Sequence, residues 1–131
     1  MCFGLFRKRK DYIKNSKKYI EKKFNFLSEN GYEYDYFFCN GEETFSFCNN
    51  VVAFEIYHDI YPFAFDIVLR DGAVSFEETF GGWDKVKRKN VNEILSINWE
   101  DIKSTLSPIE IVDYYAELVA NNINILEKAF N

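Results

Sequence analysis

The chain has 131 residues, of which 47% are hydrophobic and 19% aromatic, so one core can close without metal or disulfide support. Its formal net charge at pH 7 is −5, and the absence of any run of about eighteen apolar residues excludes a membrane-spanning helix. Three cysteines, Cys2, Cys39 and Cys48, lack metal-site spacing and are expected as free thiols in a reducing cytoplasm.

The charge is divided unevenly along the chain. Residues 1–23 contain nine lysine or arginine residues and two acidic ones, whereas the remainder contains 7 basic and 19 acidic residues. In residues 1–10 the apolar side chains precede the basic ones, the reverse of a secretory signal, which favours a cytoplasmic protein. We expect residues 1–10 to form a basic flexible tail and residues 11–131 to form a single α+β domain.

The first element is predicted as a helix from Asp11 to about Asn30. Its apolar side chains recur at helical spacing, and Asn30-Gly31 supplies a stop signal. The stripe that would face a core consists of Ile13, Ile20, Phe24 and Leu27. The opposite side of this helix carries lysines.

A period of two then replaces the helical period and predicts four to five strands. Asn40-Gly41 and Asp71-Gly72 are tight-turn signals, so consecutive strands should pair antiparallel as a meander. The predicted strands are 32–38, 44–48, 52–56, 63–70 and 74–80. Beyond them, Lys85–Asn90 is predicted as a basic connector.

The C-terminal part is predicted to be helical. Residues 91–106 fit one or two short helices, and a longer helix begins at a capping box formed by Ser107 and Glu110, with Pro108 at its first position. The wide apolar face of this last helix suits packing on a sheet. We therefore expect the C-terminal helices to cover one face of the sheet.

The strand alternation also assigns side chains to faces. If the aromatic side packs under the helices, the opposite side displays acidic residues among small ones, with no obvious lysine partner. The acidic residues of this predicted surface are Glu33, Asp35, Glu55, Asp66 and Glu77.

No catalytic constellation is recognisable. The sole histidine, His58, is followed by Asp59, but neighbours in a strand point to opposite faces, so His58 is predicted as a surface or turn residue. The paired acids Glu42-Glu43 and Glu77-Glu78 are interpreted as a solvated turn and a solvated strand. We predict no cofactor, no metal site and no nucleic-acid partner.

The order of helix, aromatic meander and C-terminal helices resembles small bacterial immunity-type proteins encoded beside polymorphic toxins. The resemblance is carried by residues 24–27 running into 30–32, by the strand 52–57 and by residues 113–118. It implies a cytoplasmic, non-catalytic protein that binds one toxin and blocks it. Because such families share no catalytic motif, no functional residue is carried across.

Charge suggests how such a partner would be bound. An acidic sheet face can meet the basic cleft of a nuclease and speed their encounter. The hypothesis assigns the partner-binding surface to Glu33, Asp35, Glu55, Asp66 and Glu77, with Tyr57 as an aromatic anchor.

Two alternatives remain open at this point. A peripheral membrane or chaperone-like binding module would use the basic segment of residues 1–23. An enzyme would instead need His58 gathered with carboxylates in a cleft. Partner identity and oligomeric state are not specified by the residues.

Overall fold

The computed structural model describes residues 15–60, 62–73 and 86–131. Within them a five-stranded antiparallel sheet is combined with an N-terminal helical segment and C-terminal helices, which confirms the predicted α+β class. No helix in these ranges has the length and apolarity needed to cross a bilayer.

The N-terminal helical segment is two consecutive pieces rather than one helix. Residues 15–23, here α1, are helical, and α2 covers Asn25–Glu29. Phe24 joins them, and its N–H still donates to the carbonyl of Ile20 at 3.0 Å. Gly31 ends the segment with φ of +91°, a conformation that glycine adopts without steric cost. Of the predicted apolar stripe, Ile20, Phe24 and Leu27 are buried, and Ile13 lies outside the described residues.

The sheet has the strands in chain order, each antiparallel to the next. A two-residue turn, in which Asn40 (φ 53°) and Gly41 (φ 84°) both have positive φ, joins the first two strands, as a hairpin of matching twist requires. The strands are β1 (Glu33–Cys39), β2 (Glu42–Cys48), β3 (Val52–Asp59), β4 (Ala64–Asp71) and β5 (Arg88–Asn90).

The fifth strand differs from the prediction. The predicted fifth strand, 74–80, lies outside the described residues, and β5 instead falls within Lys85–Asn90, so the prediction of a connector is wrong for the last three residues of that segment. In β5, Lys89 lies opposite Leu69 of β4. Three polar residues carry no apolar alternation, so only pairing with β4 identifies them as a strand.

The C-terminal helices begin at side-chain caps. Asn90 and Asn98 cap two short helices, and the capping box at the longest helix is present as predicted. Its Ser107 Oγ accepts from the Glu110 N–H at 3.4 Å, and Glu110 Oε1 accepts from the Ser107 N–H at 3.0 Å. The helices are α3 (Val91–Ile94), α4 (Trp99–Thr105), α5 (Pro108–Asn121) and α6 (Ile123–Glu127).

The core lies between the aromatic face of the sheet and the helices. The Phe65 ring of β4 has its centroid 6.3 Å from that of Phe24 and 5.7 Å from that of Tyr115 in α5. The Tyr19 hydroxyl of α1 donates to Asp113 Oδ1 of α5 at 2.5 Å. The N-terminal and C-terminal helices thus pack together on one sheet face, as the aromatic alternation predicted.

The opposite side of the sheet, here called the outer face, is defined by the strand register. One row across it is Asp35, Ser46, Glu55, Val68 and Asn90. The adjacent row is Phe37, Thr44, Tyr57 and Asp66. The described acidic residues that were predicted to share a face therefore do share it.

Candidate functional site

The predicted acidic surface is only partly exposed. Glu33 and Asp35, on β1, are exposed, and Asp66 is half-buried on β4. Glu55, in the middle of β3, has a relative exposure of 0%. Glu77 lies outside the described residues. The strand register therefore does not produce a continuous surface of five solvated carboxylates.

Glu55 belongs to a buried ion pair. Its Oε1 accepts from Nε of Arg70 at 3.1 Å, and Nε of Arg88 lies 3.8 Å from the same oxygen. The sequence analysis found no obvious lysine partner for the acidic residues. The partner of Glu55 is an arginine, because the antiparallel register makes Arg70 its diagonal neighbour on the adjacent strand. Arg88 comes from the segment that was predicted to be a connector. The charge of Glu55 is thus neutralised within the fold.

Tyr57 lies beside this pair and is half-buried. Its hydroxyl donates to Glu55 Oε2 at 2.9 Å. Burial raises the pKa of Tyr57, and the charge of the Glu55 carboxylate raises it further. The phenol therefore remains protonated as a donor to Glu55, and its ring forms part of the outer face.

Next to Tyr57, an open groove of about 390 Å³ lies on the outer face at the end of the sheet near the β1–β2 turn. Its walls combine three carboxylates, the ring of Tyr57, two aliphatic side chains and His58, whose side chain has no exposed area. The lining residues are Glu42, Tyr57, His58, Asp59, Ala64, Asp66 and Val68. None of these described lining residues is a lysine or an arginine. The groove therefore concentrates negative charge. The electric field of this charge is screened less beside the protein wall, where the dielectric constant is low, than in bulk water.

The carboxylates of the groove act on one another. Partial burial raises the pKa of Glu42, and the charges of Asp59 and Asp66 raise it further. Asp66 is oriented by β5, because its Oδ1 accepts from Asn90 Nδ2 at 2.5 Å. Asn90 in turn accepts from the Asn92 N–H at 2.8 Å and caps α3. The mutual repulsion leaves a site that a positive charge would stabilise.

Two of these acids, Glu42 and Asp59, were missed by the sequence interpretation. Glu42 was assigned to a solvated turn, although the Asn40-Gly41 hairpin places it opposite Cys39 on the outer face. Asp59 was considered only together with His58. It follows Tyr57 by two residues in β3, so the same alternation that found Tyr57 also identifies Asp59.

His58 is not the surface histidine that was predicted. It is 1% exposed on the helix side of β3, and its Nδ1 lies 2.9 Å from Glu43 Oε1. The rings of Phe63 and Phe65 contact the imidazole edge-on, with centroids 5.9 and 6.3 Å away. The strand register explains the burial, since Glu43 is the residue of β2 directly opposite His58. The separation of His58 from Asp59 onto different faces is confirmed.

The imidazole of His58 is therefore a structural group, although the residue borders the groove. Its side chain has no exposed area, and Glu43 also accepts from the Tyr36 hydroxyl at 2.5 Å. Among the described residues, no group of three histidine, cysteine or acidic side chains has a geometry that would hold a metal ion.

The predicted basic segment is described only in its second half. There Lys17 Nζ lies 4.1 Å from the centroid of the Tyr36 ring, and Lys23 Nζ lies 3.3 Å from Asp113 Oδ1. Lys18 and Lys22 are exposed. Residues 1–14, which contain the rest of the segment, lie outside the described residues. Cys39 and Cys48 are free thiols, as predicted, and Cys2 is not described.

Comparison with known proteins adds no relative to this picture. No family model, no curated protein and no solved structure matches the chain.

Proposed function

We propose that this protein is a non-catalytic binding protein, an immunity protein that neutralises a cognate toxin by receiving a basic segment of it in the groove on the outer face. The observation that carries the proposal is the convergence of Glu42, Asp59 and Asp66 in a groove whose described lining contains no cation. The resemblance to immunity-type proteins supports the nature of the partner.

The electrostatics of the groove favour a cationic partner. Burial and, after it, the charges of Asp59 and Asp66 raise the pKa of Glu42, and a lysine or arginine placed among these carboxylates would relieve their repulsion. Complementary charge also steers the approach of a partner and accelerates association. A nuclease-type toxin, whose cleft is basic because it binds phosphates, meets this requirement.

The apolar part of the groove supplies contact area as well as charge. Tyr57, Ala64 and Val68 form a wall against which the aliphatic stem of a lysine or arginine can pack. Because the Tyr57 hydroxyl donates a hydrogen bond to Glu55, the ring of Tyr57 is already positioned in the absence of a partner. A preorganised aromatic ring is typical of interface residues that contribute most to affinity.

The proposal is tested with the product of the gene adjacent to that of this protein, which the proposal predicts to carry a toxin domain. Association with that domain is measured by stopped-flow at low salt for the wild type and for the variant Glu42→Gln/Asp59→Asn. We expect association roughly tenfold slower in the variant, since two steering charges are lost. The wild type should also protect cells that express the toxin domain.

The matched control removes two exposed charges elsewhere, with Glu100→Gln/Glu117→Gln. It removes the same number of negative charges as the groove variant and should leave association within about twofold of the wild type. Equal slowing in both variants would assign the effect to net charge alone and refute the groove as the binding site. An adjacent product that neither binds nor is neutralised would refute the immunity function itself.

A further inference from the structure

β1 lies at the outside of the described sheet and lacks three features that commonly protect such a strand: a bulge, a proline and a basic side chain. Within the described residues it pairs only with β2, and all seven of its residues are in regular register, without a bulge. It contains no proline and no lysine or arginine. Natural edge strands are commonly blunted by lysine, proline or bulges, because an open edge offers unpaired main-chain groups to another chain.

The hairpin turn determines which main-chain groups face away from the sheet. In a two-residue hairpin the closing pair, here Cys39 and Glu42, exchanges main-chain hydrogen bonds, and bonded pairs then alternate along the ladder. Tyr34, Tyr36 and Phe38 consequently point their N–H and C=O groups outward. The outward Tyr36 N–H has no strand partner among the described residues and donates to the side chain of Asp35, with Oδ1 at 2.9 Å.

The side chains along this edge differ between its two sides. On the helix side two large apolar residues are unusually exposed, Tyr34 at 37% and Phe38 at 65%. On the outer face Glu33 and Asp35 are exposed. Neither acid has a basic side chain of the described residues within ion-pair distance. Among the described residues, the edge thus combines open hydrogen-bonding groups, exposed aromatic area and carboxylates without an ion-pair partner.

We propose that β1 binds an extended segment of another protein as an additional strand, and that this segment alternates apolar and basic side chains. Main-chain bonds would form to Tyr34, Tyr36 and Phe38. Residues of the segment opposite Tyr34 and Phe38 lie beside their exposed rings and are apolar. Residues opposite Glu33 and Asp35 lie on the outer face and are lysine or arginine. Asp35 exchanges its contact with the Tyr36 N–H for the incoming cation.

A second copy of this chain fits the edge poorly. Antiparallel pairing of two β1 strands about Tyr36 would place Asp35 opposite Phe37 and Glu33 opposite Cys39 of the other copy. Four carboxylates would then share one short ladder without a cation. The acidic residues of β1 thus disfavour pairing with a second copy and favour pairing with a basic strand, so the sign of the charge selects the partner.

The edge and the groove are separate surfaces, since no residue of β1 lines the groove. A partner could use either one alone. The inference about β1 therefore goes beyond the proposed function and is tested with its own probe and its own variants.

The probe is a capped peptide of the same length as β1 that alternates valine and lysine. It is titrated into the full-length protein, and amide hydrogen exchange is followed by NMR. We expect the amides of Tyr34, Tyr36 and Phe38 to exchange at least about tenfold more slowly at saturation. A valine–glutamate peptide and a peptide of the same composition with its lysines grouped should give no protection. Protection by either control peptide at the same concentration, or none by the probe, would overturn the proposal.

Two substitutions at one exposed position separate main-chain from side-chain binding. Phe38→Pro removes an outward N–H without removing a bond to β2, whereas Phe38→Thr keeps that N–H and removes the ring. We expect Phe38→Pro to bind the probe at least about tenfold more weakly than Phe38→Thr. Equal affinities would show that no strand is added. Glu33→Lys/Asp35→Lys should reverse the preference toward the glutamate peptide, and an unchanged preference would refute the charge complementarity.

The remaining controls test whether the probe binds in the groove instead of at β1, and whether a second copy of the chain pairs with β1. Glu42→Gln/Asp59→Asn, which alters only the groove, should bind the probe within about twofold of the wild type. A larger loss would place the peptide in the groove and overturn the assignment to β1. Sedimentation velocity without peptide should show no association through β1. A dimer whose formation protects the same three amides would assign the edge to a second copy instead.

Discussion

Arg70→Met tests the central structural finding, the buried pair between Glu55 and Arg70. Both side chains are inaccessible, at 0% and 1% exposure, so removing the guanidinium leaves a carboxylate without its 3.1 Å partner in a site that excludes water. Breaking such a pair typically costs 3–5 kcal/mol. Because Arg88 Nε remains 3.8 Å away and the Tyr57 hydroxyl still donates, we expect a loss of about 3 kcal/mol.

The assay is urea denaturation of a double-mutant cycle, followed by circular dichroism. Glu55→Met should also be destabilising, because it removes the buried carboxylate that accepts from Arg70 Nε. The double variant Glu55→Met/Arg70→Met removes both charges and should be much less destabilised than the sum of the single variants. An unchanged m-value would show that all variants unfold from the same compact state.

Two results would refute this reasoning. If Arg70→Met lost less than about 1 kcal/mol, the pair would behave as a solvated surface ion pair rather than as a buried one. If the double variant lost as much as the two single variants together, the side chains would be energetically independent despite their contact.

Three further substitutions probe other parts of the fold by urea denaturation. Ser107→Ala removes the hydroxyl that caps Glu110 and should cost about 1 kcal/mol, so an unchanged midpoint would contradict the cap. Gly72→Ala would place a methyl group 2.2 Å from the carbonyl oxygen of Asn49 and should cost about 3 kcal/mol; full stability would show that this turn relaxes freely. The pKa of Glu42 is raised above its ordinary value of 4.5, so the folded state binds the carboxyl proton of Glu42 more tightly than the unfolded state does. Protonated Glu42 therefore stabilises the fold below pH 4.5, and this stabilisation is lost as pH rises through the pKa of Glu42 in the folded state. Glu42→Gln should therefore flatten the pH dependence of stability just above 4.5, and an identical profile in both proteins would contradict the repulsion within the groove.

Local signals were sufficient for most of the elements. Alternating aromatic residues predicted the first four strands, because only a period of two places Tyr34 and Tyr36 on the same side as Phe45 and Phe47 across the hairpin. The capping box at Ser107 was likewise readable, since its donors and acceptors lie within one helical turn. Such features depend on residues close together in the chain.

The site was less accessible to this kind of reasoning. The sequence correctly predicted the face of the sheet on which Glu55 and Asp66 lie. The face on which a side chain lies does not, however, determine whether that side chain is exposed to solvent. Whether a carboxylate is solvated depends on which cation lies across the sheet. For Glu55 that cation is Arg70, a neighbour only after β3 and β4 have paired. His58 illustrates the same limit, because its burial involves Glu43 on β2 and the rings of Phe63 and Phe65.

The amino-acid sequence by itself determined most of the elements, the antiparallel order of the first four strands and the side of the sheet that faces the helices, because periodicity, turn residues and caps act over a few residues. Only the tertiary structure decided which charges are neutralised and which remain available. In the folded protein Glu55 is buried in an ion pair with Arg70, whereas Glu42, Asp59 and Asp66 line one groove. The physical reason is that electrostatic interactions act through space, so their partners are set by strand register rather than by distance along the chain.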